Sequence, residues 1–315
     1  NSQAVFPVYF AIRINKVPAE CGFWKKQPLM KGVESDWTPD DGTYKIYKKY
    51  GREIAGDDIG YWFSFETAEG EQVELQMGVS FVSCENAWEN LDAEQTQLTP
   101  GVSNFETVRD AAEAAWESDL SRIKVSGGSK RDNEVFYSAL YHTLIHPSIL
   151  NDVNGEYPLM ESDGVGCVPE GHTRYSVFSL WDTYRNLHQL MTLVYPERQI
   201  DMVRSMIDIY KEWGWMPKWE LFGRETFTME GDPAIPVITD TWLKGLRDFD
   251  IETAYEAFVK SATSKGTDNL MRPDIDPYLE KGYVPLGMYS ADLSGDNSVS
   301  HALEYYIADY ALSQL

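Results

Sequence analysis

Three clusters in this 315-residue chain combine side-chain types at spacings that could do chemistry. The first is YSVFSLWDTYRNLHQL, Tyr175 to Leu190, in which Asp182 and Arg185 stand three apart. On a helix they would share a face and present a carboxylate and a guanidinium together to hydroxyl groups. The same spacing also suits a plain local ion pair at a helix start. The second, WGWMPKWELFGRETFTMEGDPA, crowds Trp213, Trp215 and Trp219 around a Gly and Pro turn; Glu220, Glu225, Glu230 and Asp232 follow, ahead of a helix expected near Pro233. Aromatic platforms beside carboxylates are what carbohydrate recognition needs. Tryptophans packing helix ends, with carboxylates solvated or capping, would give the same pattern, so both readings stay open. The third, GDNSVSHALEYYIADYALSQL, places Glu304 in the first turns of a helix beside Ser300, His301 and an apolar stripe. Partial burial there would favour a protonated carboxyl able to act as a general acid. A lone helical Glu is more often an exposed surface residue.

Other chemistries lose ground. The five histidines form no HExxH; His142 and His146 are four apart, but YHTLIH holds no acidic partner. Cys21, Cys84 and Cys167 are widely spaced and odd in number, which indicates neither a zinc site of the CxxC type nor a disulfide framework. No GxSxG elbow, phosphate loop or dinucleotide fingerprint is present, despite a GGS at Gly127. A formal charge of −23 makes nucleic acid an improbable partner, since binding a phosphate backbone needs an excess of Lys and Arg. Such a surface would favour cations and is common in extracytoplasmic proteins. No transmembrane run is visible, and Asn1 to Phe10 lacks the layout of a signal peptide.

The elements that must position these clusters fall into two styles. From Val5 to about Ser83, short β-rich runs (VYFAIRI, YKIYKKY, YWFSFET, VELQMGVSFVS) alternate with Gly, Asp and Pro clusters, the grammar of antiparallel strands. Beyond Cys84 the period becomes helical: Phe105, Val108, Ala112, Ala115, Trp116 and Leu120 mark a connecting helix. Further stripes run through Phe136 to Leu144, Ile200 to Tyr210, IETAYEAFVKSA and VSHALEYYIADYAL, the last with Asp296, Asn297 and Ser298 as candidate caps. The expected organisation is the later part of a β-sandwich (1–100), a helical linker (101–130), and the first part of a helical bundle or toroid (131–315), with the site on loops at one end of the toroid.

Taken in order, GVSFVSCENAWENLDAE, FYSALYHTLIHPS, YSVFSLWDTYRNLHQL, GWMPKWELFG, GDPAIPVITDTWLKG, ETAYEAFVKSA and VSHALEYYIADYAL resemble the glycoside hydrolase family 92 α-mannosidases. The resemblance runs from about Gly78 to the end of the chain.

It implies a β-sandwich followed by an (α/α)6-type toroid, with calcium-dependent, inverting hydrolysis of terminal α-mannosides at the junction. The general acid of the LEY segment falls on Glu304. The WDTYR segment points to Trp181, Asp182 and Arg185 as contacts for the terminal mannose, with Trp219 and Glu225 as a pocket wall and Asp152, in the NDVNGEY loop, as a further contact. An inverting glycosidase needs a second carboxylate across the sugar, with room for a water. The family supplies that base from a GNDDxGQMS-like segment, and much of its calcium site from a later stretch; neither occurs in this sequence. The expectation is therefore of a chain inactive alone, whose partners are a mannose-containing glycan and the remaining polypeptide of the same enzyme, in a periplasmic, secreted or cell-surface setting. Its calcium ligands stay unassigned. The rival readings are a noncatalytic mannose-binding protein and a toroid hydrolase with another sugar specificity.

Overall fold

A computed structural model describes residues 6–26, 44–48, 56, 58–95, 104–287 and 297–315. The β-rich stretch forms β1 (Tyr9–Ile14), β2 (Glu20–Lys26), β3 (Tyr44–Lys48), β4 (Ile59–Ser64) and β5 (Leu75–Ser80). Helices α1 (Cys84–Glu94), α2 (Phe105–Leu120) and α3 (Lys130–His142) follow, then short strands β6 (Ser148–Ile149), β7 (Glu156–Pro158), β8 (Val165–Cys167), β9 (Tyr175–Ser176) and β10 (Phe178–Ser179). The remainder is α4 (Leu180–Thr183), α5 (Leu187–Val194), α6 (Pro196–Trp213), β11 (Trp219–Leu221), β12 (Arg224–Glu225), α7 (Ala234–Leu243), α8 (Ile251–Thr263), α9 (Ile275–Lys281) and α10 (Ser298–Leu312). Two compact units emerge: residues 12–77 with 95–109, and residues 1–11 with 78–94 and 110–315.

In the smaller unit β2 is the centre of an antiparallel sheet ordered β3-β2-β4. Gly60 stands opposite Trp24 in that ladder. A Cβ at Gly60 would come within 2.5 Å of the Trp24 indole, so only glycine lets the ring lie over the neighbouring strand.

The larger unit is helical, and its ends follow from its sequence. Ser129 and Asp132 form a reciprocal capping box on α3. Pro196 opens α6, and Gly214, at φ 92°, closes it in the left-handed conformation. Asp250 caps α8 by accepting from the Thr253 amide. For α10 the expected caps find a limited role: Asn297 occupies the N-cap without a side-chain cap bond, and Asp296 lies outside the described residues. The connecting helix α2 forms over the expected span, but none of its residues is buried, so its stripe leaves Phe105 and Val108 exposed.

The core of this unit joins Met202, Val203, Met206 and Ile207 of α6 to Ile235 and Ile238 of α7, Ala257 and Phe258 of α8, and Ala308 of α10. Each large side chain buried there contributes about 1.5–3 kcal/mol. Phe178, Leu180 and Tyr184 sink into the same cluster. Leu180 and Tyr184, four apart, thus pin the α4 corner from below, and the intervening Trp181 and the following Arg185 turn outward.

Candidate active site

Glu304 is the focus toward which the corner after β10 converges. Its Oε1 accepts from Trp181 Nε1 at 3.1 Å and from Arg185 Nη2 at 3.0 Å, and its Oε2 accepts from the Tyr184 hydroxyl at 2.8 Å. The Glu304 side chain is 13% exposed and that of Arg185 is 45% exposed. The guanidinium lies against two rings, 4.5 Å from the centre of Trp181 and 4.8 Å from that of Tyr184. Burial, with the bond to Glu304 second, pushes the Tyr184 hydroxyl up to about 12, so at neutral pH it is a donor only.

A small sheet aims this corner. Strand β11 pairs with both β10 and β12, setting Phe178 opposite Glu220 and Glu220 opposite Glu225. Both glutamates are buried, and each is spent on the scaffold. Glu220 accepts from the Ser176 hydroxyl at 2.9 Å, the Val177 amide at 3.1 Å and the Gly223 amide at 2.6 Å. Burial pushes its carboxyl up to about 7. Val177, a β-branched residue at φ 66°, is strained, and the Glu220 bond to its amide helps hold it. Glu225 accepts from the amides of Lys218, Trp219 and Phe227 at 2.8–2.9 Å, which locks the hairpin ahead of the Gly231 turn. Its carboxyl, too, is raised by burial.

That turn supports the stem of Glu304. Gly231 sits at φ 77°, and a Cβ there would fall 2.6 Å from Glu304 Cβ. The next residue, Asp232, is buried; it accepts from Ser261 and pairs with Arg272 Nε at 3.5 Å. Arg272 Nη1 reaches Asp309 on α10 at 2.7 Å and its guanidinium lies 4.9 Å from the Tyr305 ring centre. The turn under Glu304 and the helix carrying it are therefore fastened by one buried cation.

The structure brings Glu304, Trp181 and Arg185 together and leaves the other candidates elsewhere. Asp182 is exposed and takes the hydroxyl of Ser179, because α4 is a single turn and Arg185 lies beyond its end, so the shared helical face expected of the two does not form. Trp219 is half-buried, its indole N–H enclosed without a partner. Asp152 is buried behind Ser80, Asn86 and Asn90, which donate to it at 2.6, 2.8 and 2.7 Å. A separate hollow of about 380 Å³, lined by Trp116, His146, Tyr175 and Arg198 among others, shares no residue with the Glu304 cluster.

Residues 86–315 match the family model described as the glycosyl hydrolase family 92 catalytic domain. The chain belongs to glycoside hydrolase family 92. A family 92 α-mannosidase of Bacteroides thetaiotaomicron, solved alone and with mannoimidazole, is 31% identical with a TM-score of 0.77; 98% of this chain covers 38% or 37% of the solved chains. A family 92 inverting mannosidase from the same organism, at 24% identity and TM-score 0.80, shares the fold, again with 98% of this chain covering 38% of it. An uncharacterized secreted glycosidase of Arthroderma benhamiae is 28% identical over 266 residues, 81% of this chain and 29% of that protein. The chain thus spans about a third of the length of these relatives.

Within this family 92 chain, sequence reasoning passed over Tyr184 and Gly231. Tyr184 was legible in principle, since it shares the WDTYR segment with Trp181 and Arg185. Gly231 was not, because it lies 73 positions before Glu304, a separation that no local pattern connects. Among the described residues no three His, Cys, Asp or Glu side chains converge as a metal site. The carboxylate at the centre of the cluster is instead engaged by a guanidinium.

Proposed function

We propose that this chain contributes the general acid and part of the terminal-sugar pocket of a calcium-dependent, inverting exo-α-mannosidase built as a β-sandwich joined to an (α/α)6 toroid. The observation that carries the reading is Glu304. It is a mostly buried carboxylate with one oxygen turned toward a solvent-reaching corner, held by an indole, a phenol and a guanidinium. That is the layout of a group positioned to protonate a leaving oxygen, supported by residues that also suit the hydroxyls and CH faces of a sugar.

In this reading Trp181, Arg185 and the exposed carboxylate of Asp182 meet the terminal mannose, and Trp219 stands behind them. Glu225 and Asp152, with every carboxylate oxygen spent inside the protein, belong to the scaffold. The general base and the calcium ligands come from polypeptide other than the residues described, and the setting is periplasmic, secreted or cell-surface. When bound, calcium would hold two sugar hydroxyls.

The test is to give the full-length protein a synthetic α-mannoside with calcium and follow the anomer first released by NMR. Release of β-mannose, lost on chelation, is expected. Release of α-mannose, or turnover indifferent to chelation, would overturn inversion or calcium dependence respectively. Preference for an epimeric glycoside would replace the sugar assignment.

A further inference from the structure

We infer that Arg185 occupies, in the free protein, the seat that the leaving-group oxygen takes in the complex, so that sugar binding and exposure of the acid are one exchange. The inference rests on the reading of Glu304 as general acid and deepens it.

A carboxylate offers about four sites to hydrogen-bond donors, two on each oxygen. At Glu304 three are filled. Oε2 faces inward: its donor, Tyr184, is buried, and a Cβ on Gly231 would stand 3.6 Å from it. Oε1 is the outward oxygen, since one of its two donors is the 45% exposed guanidinium. A glycosidic oxygen arriving from solvent meets Oε1, where both sites are already taken. To receive a proton through that oxygen it must displace one of them, and the freed position on Oε1 is where the carboxylate takes up from solvent the proton that it then passes to the leaving oxygen.

The two donors on Oε1 are held very differently. Trp181 follows the fully buried Leu180 on α4, and its ring is half-buried. Arg185 lies beyond the end of that helix, on a long stem, tied to Glu304 by one hydrogen bond and resting on two aromatic faces. A guanidinium can pivot along those faces and keep much of their attraction while its N–H groups turn to sugar hydroxyls. Arg185 is therefore the donor that leaves, and the Tyr184 hydroxyl goes on holding Oε2.

The test is a double-mutant cycle on binding, which needs no turnover. Methyl 1-thio-α-mannoside, whose linkage resists hydrolysis, is titrated calorimetrically into the full-length protein and into Glu304→Gln, Arg185→Gln and the double variant. If the pair must open, Glu304→Gln weakens it in advance and tightens binding by about two- to fivefold, the usual worth of a partly exposed ion pair. The gain disappears when Arg185→Gln is present, and Arg185→Lys retains part of it. A crystal structure with the thiomannoside, which requires no variant to fold, then shows Arg185 Nη2 beyond hydrogen-bond reach of Oε1. Unchanged or weaker binding by Glu304→Gln, additive effects in the cycle, or an intact pair beside bound sugar would each overturn the exchange while leaving the acid assignment standing. A wild-type protein that neither binds the thiomannoside nor hydrolyses mannosides would remove both.

Discussion

Two guanidiniums in this molecule are built from the same parts and behave as opposites. Arg185 and Arg272 each pair with a carboxylate on α10, Glu304 and Asp309, and each rests on an aromatic ring. Arg272 has no exposed side-chain surface and bridges two carboxylates, whereas Arg185 is half in solvent and bonds one. The difference teaches that residue type does not mark a site; spare bonding capacity near solvent does. A fully enclosed ion pair can only hold, while a half-exposed one can be exchanged for a ligand.

The sharpest way to break the comparison is to remove each cation. Arg272→Met leaves Asp232 and Asp309 without their shared cation, and chemical denaturation should show a loss of about 3–5 kcal/mol. Arg185→Met should cost less than about 1 kcal/mol, because water replaces it. Equal losses would mean that exposure does not separate the two.

Glu220 and His188 sharpen the contrast through pH. Burial raises the Glu220 carboxyl from 4.5 to about 7, so its contribution to stability is complete below pH 4.5 and is lost as pH rises through 7. His188, buried between Thr183 and Gln199, is lowered by burial from 6.5 to about 4; its contribution is complete above pH 6.5 and is lost as pH falls through 4. The slopes oppose each other between pH 4.5 and 6.5. Glu220→Gln should therefore gain on the wild type by about 2–3 kcal/mol between pH 5 and pH 8 in urea denaturation. A gap that does not change with pH would show that Glu220 does not titrate there.

A smaller effect on stability is expected from Gly231→Ala. The left-handed backbone costs an L-residue about 1–2 kcal/mol, and the new methyl must push Glu304 aside. Turnover of mannosides with poor leaving groups should fall more than tenfold, as a displaced acid requires. Turnover of activated aryl mannosides should change little. A uniform loss on both substrates would point to damage beyond the acid.

Much of this was legible in residue patterns, for reasons that also explain what was not. The helical stripes of α6 and α8 are local periodicities, and burial follows them; on α10 the buried face is Ala302, Tyr305, Ala308 and Ala311, while Val299, Leu303 and Tyr310 stay exposed. Glu304, Trp181 and Arg185 could be nominated together because a family resemblance ties distant segments, which spacing alone cannot do. Asp182 beside Arg185 assumed a continuing helix, and α4 instead ends after one turn, with Arg185 beyond it. Glu225 and Asp152 have the composition of sugar ligands, but their amide donors come from backbone turns and from asparagines more than 60 positions away, visible only once folded.

The central claim is that Glu304 donates the proton to the leaving group. Its most direct test compares Glu304→Gln with the wild-type full-length enzyme on an α-mannoside with a sugar leaving group and on a dinitrophenyl α-mannoside. The account expects kcat to fall by about 10²–10⁴ on the first and only slightly on the second. Equal losses on both, or full activity on the sugar-linked substrate, would contradict it.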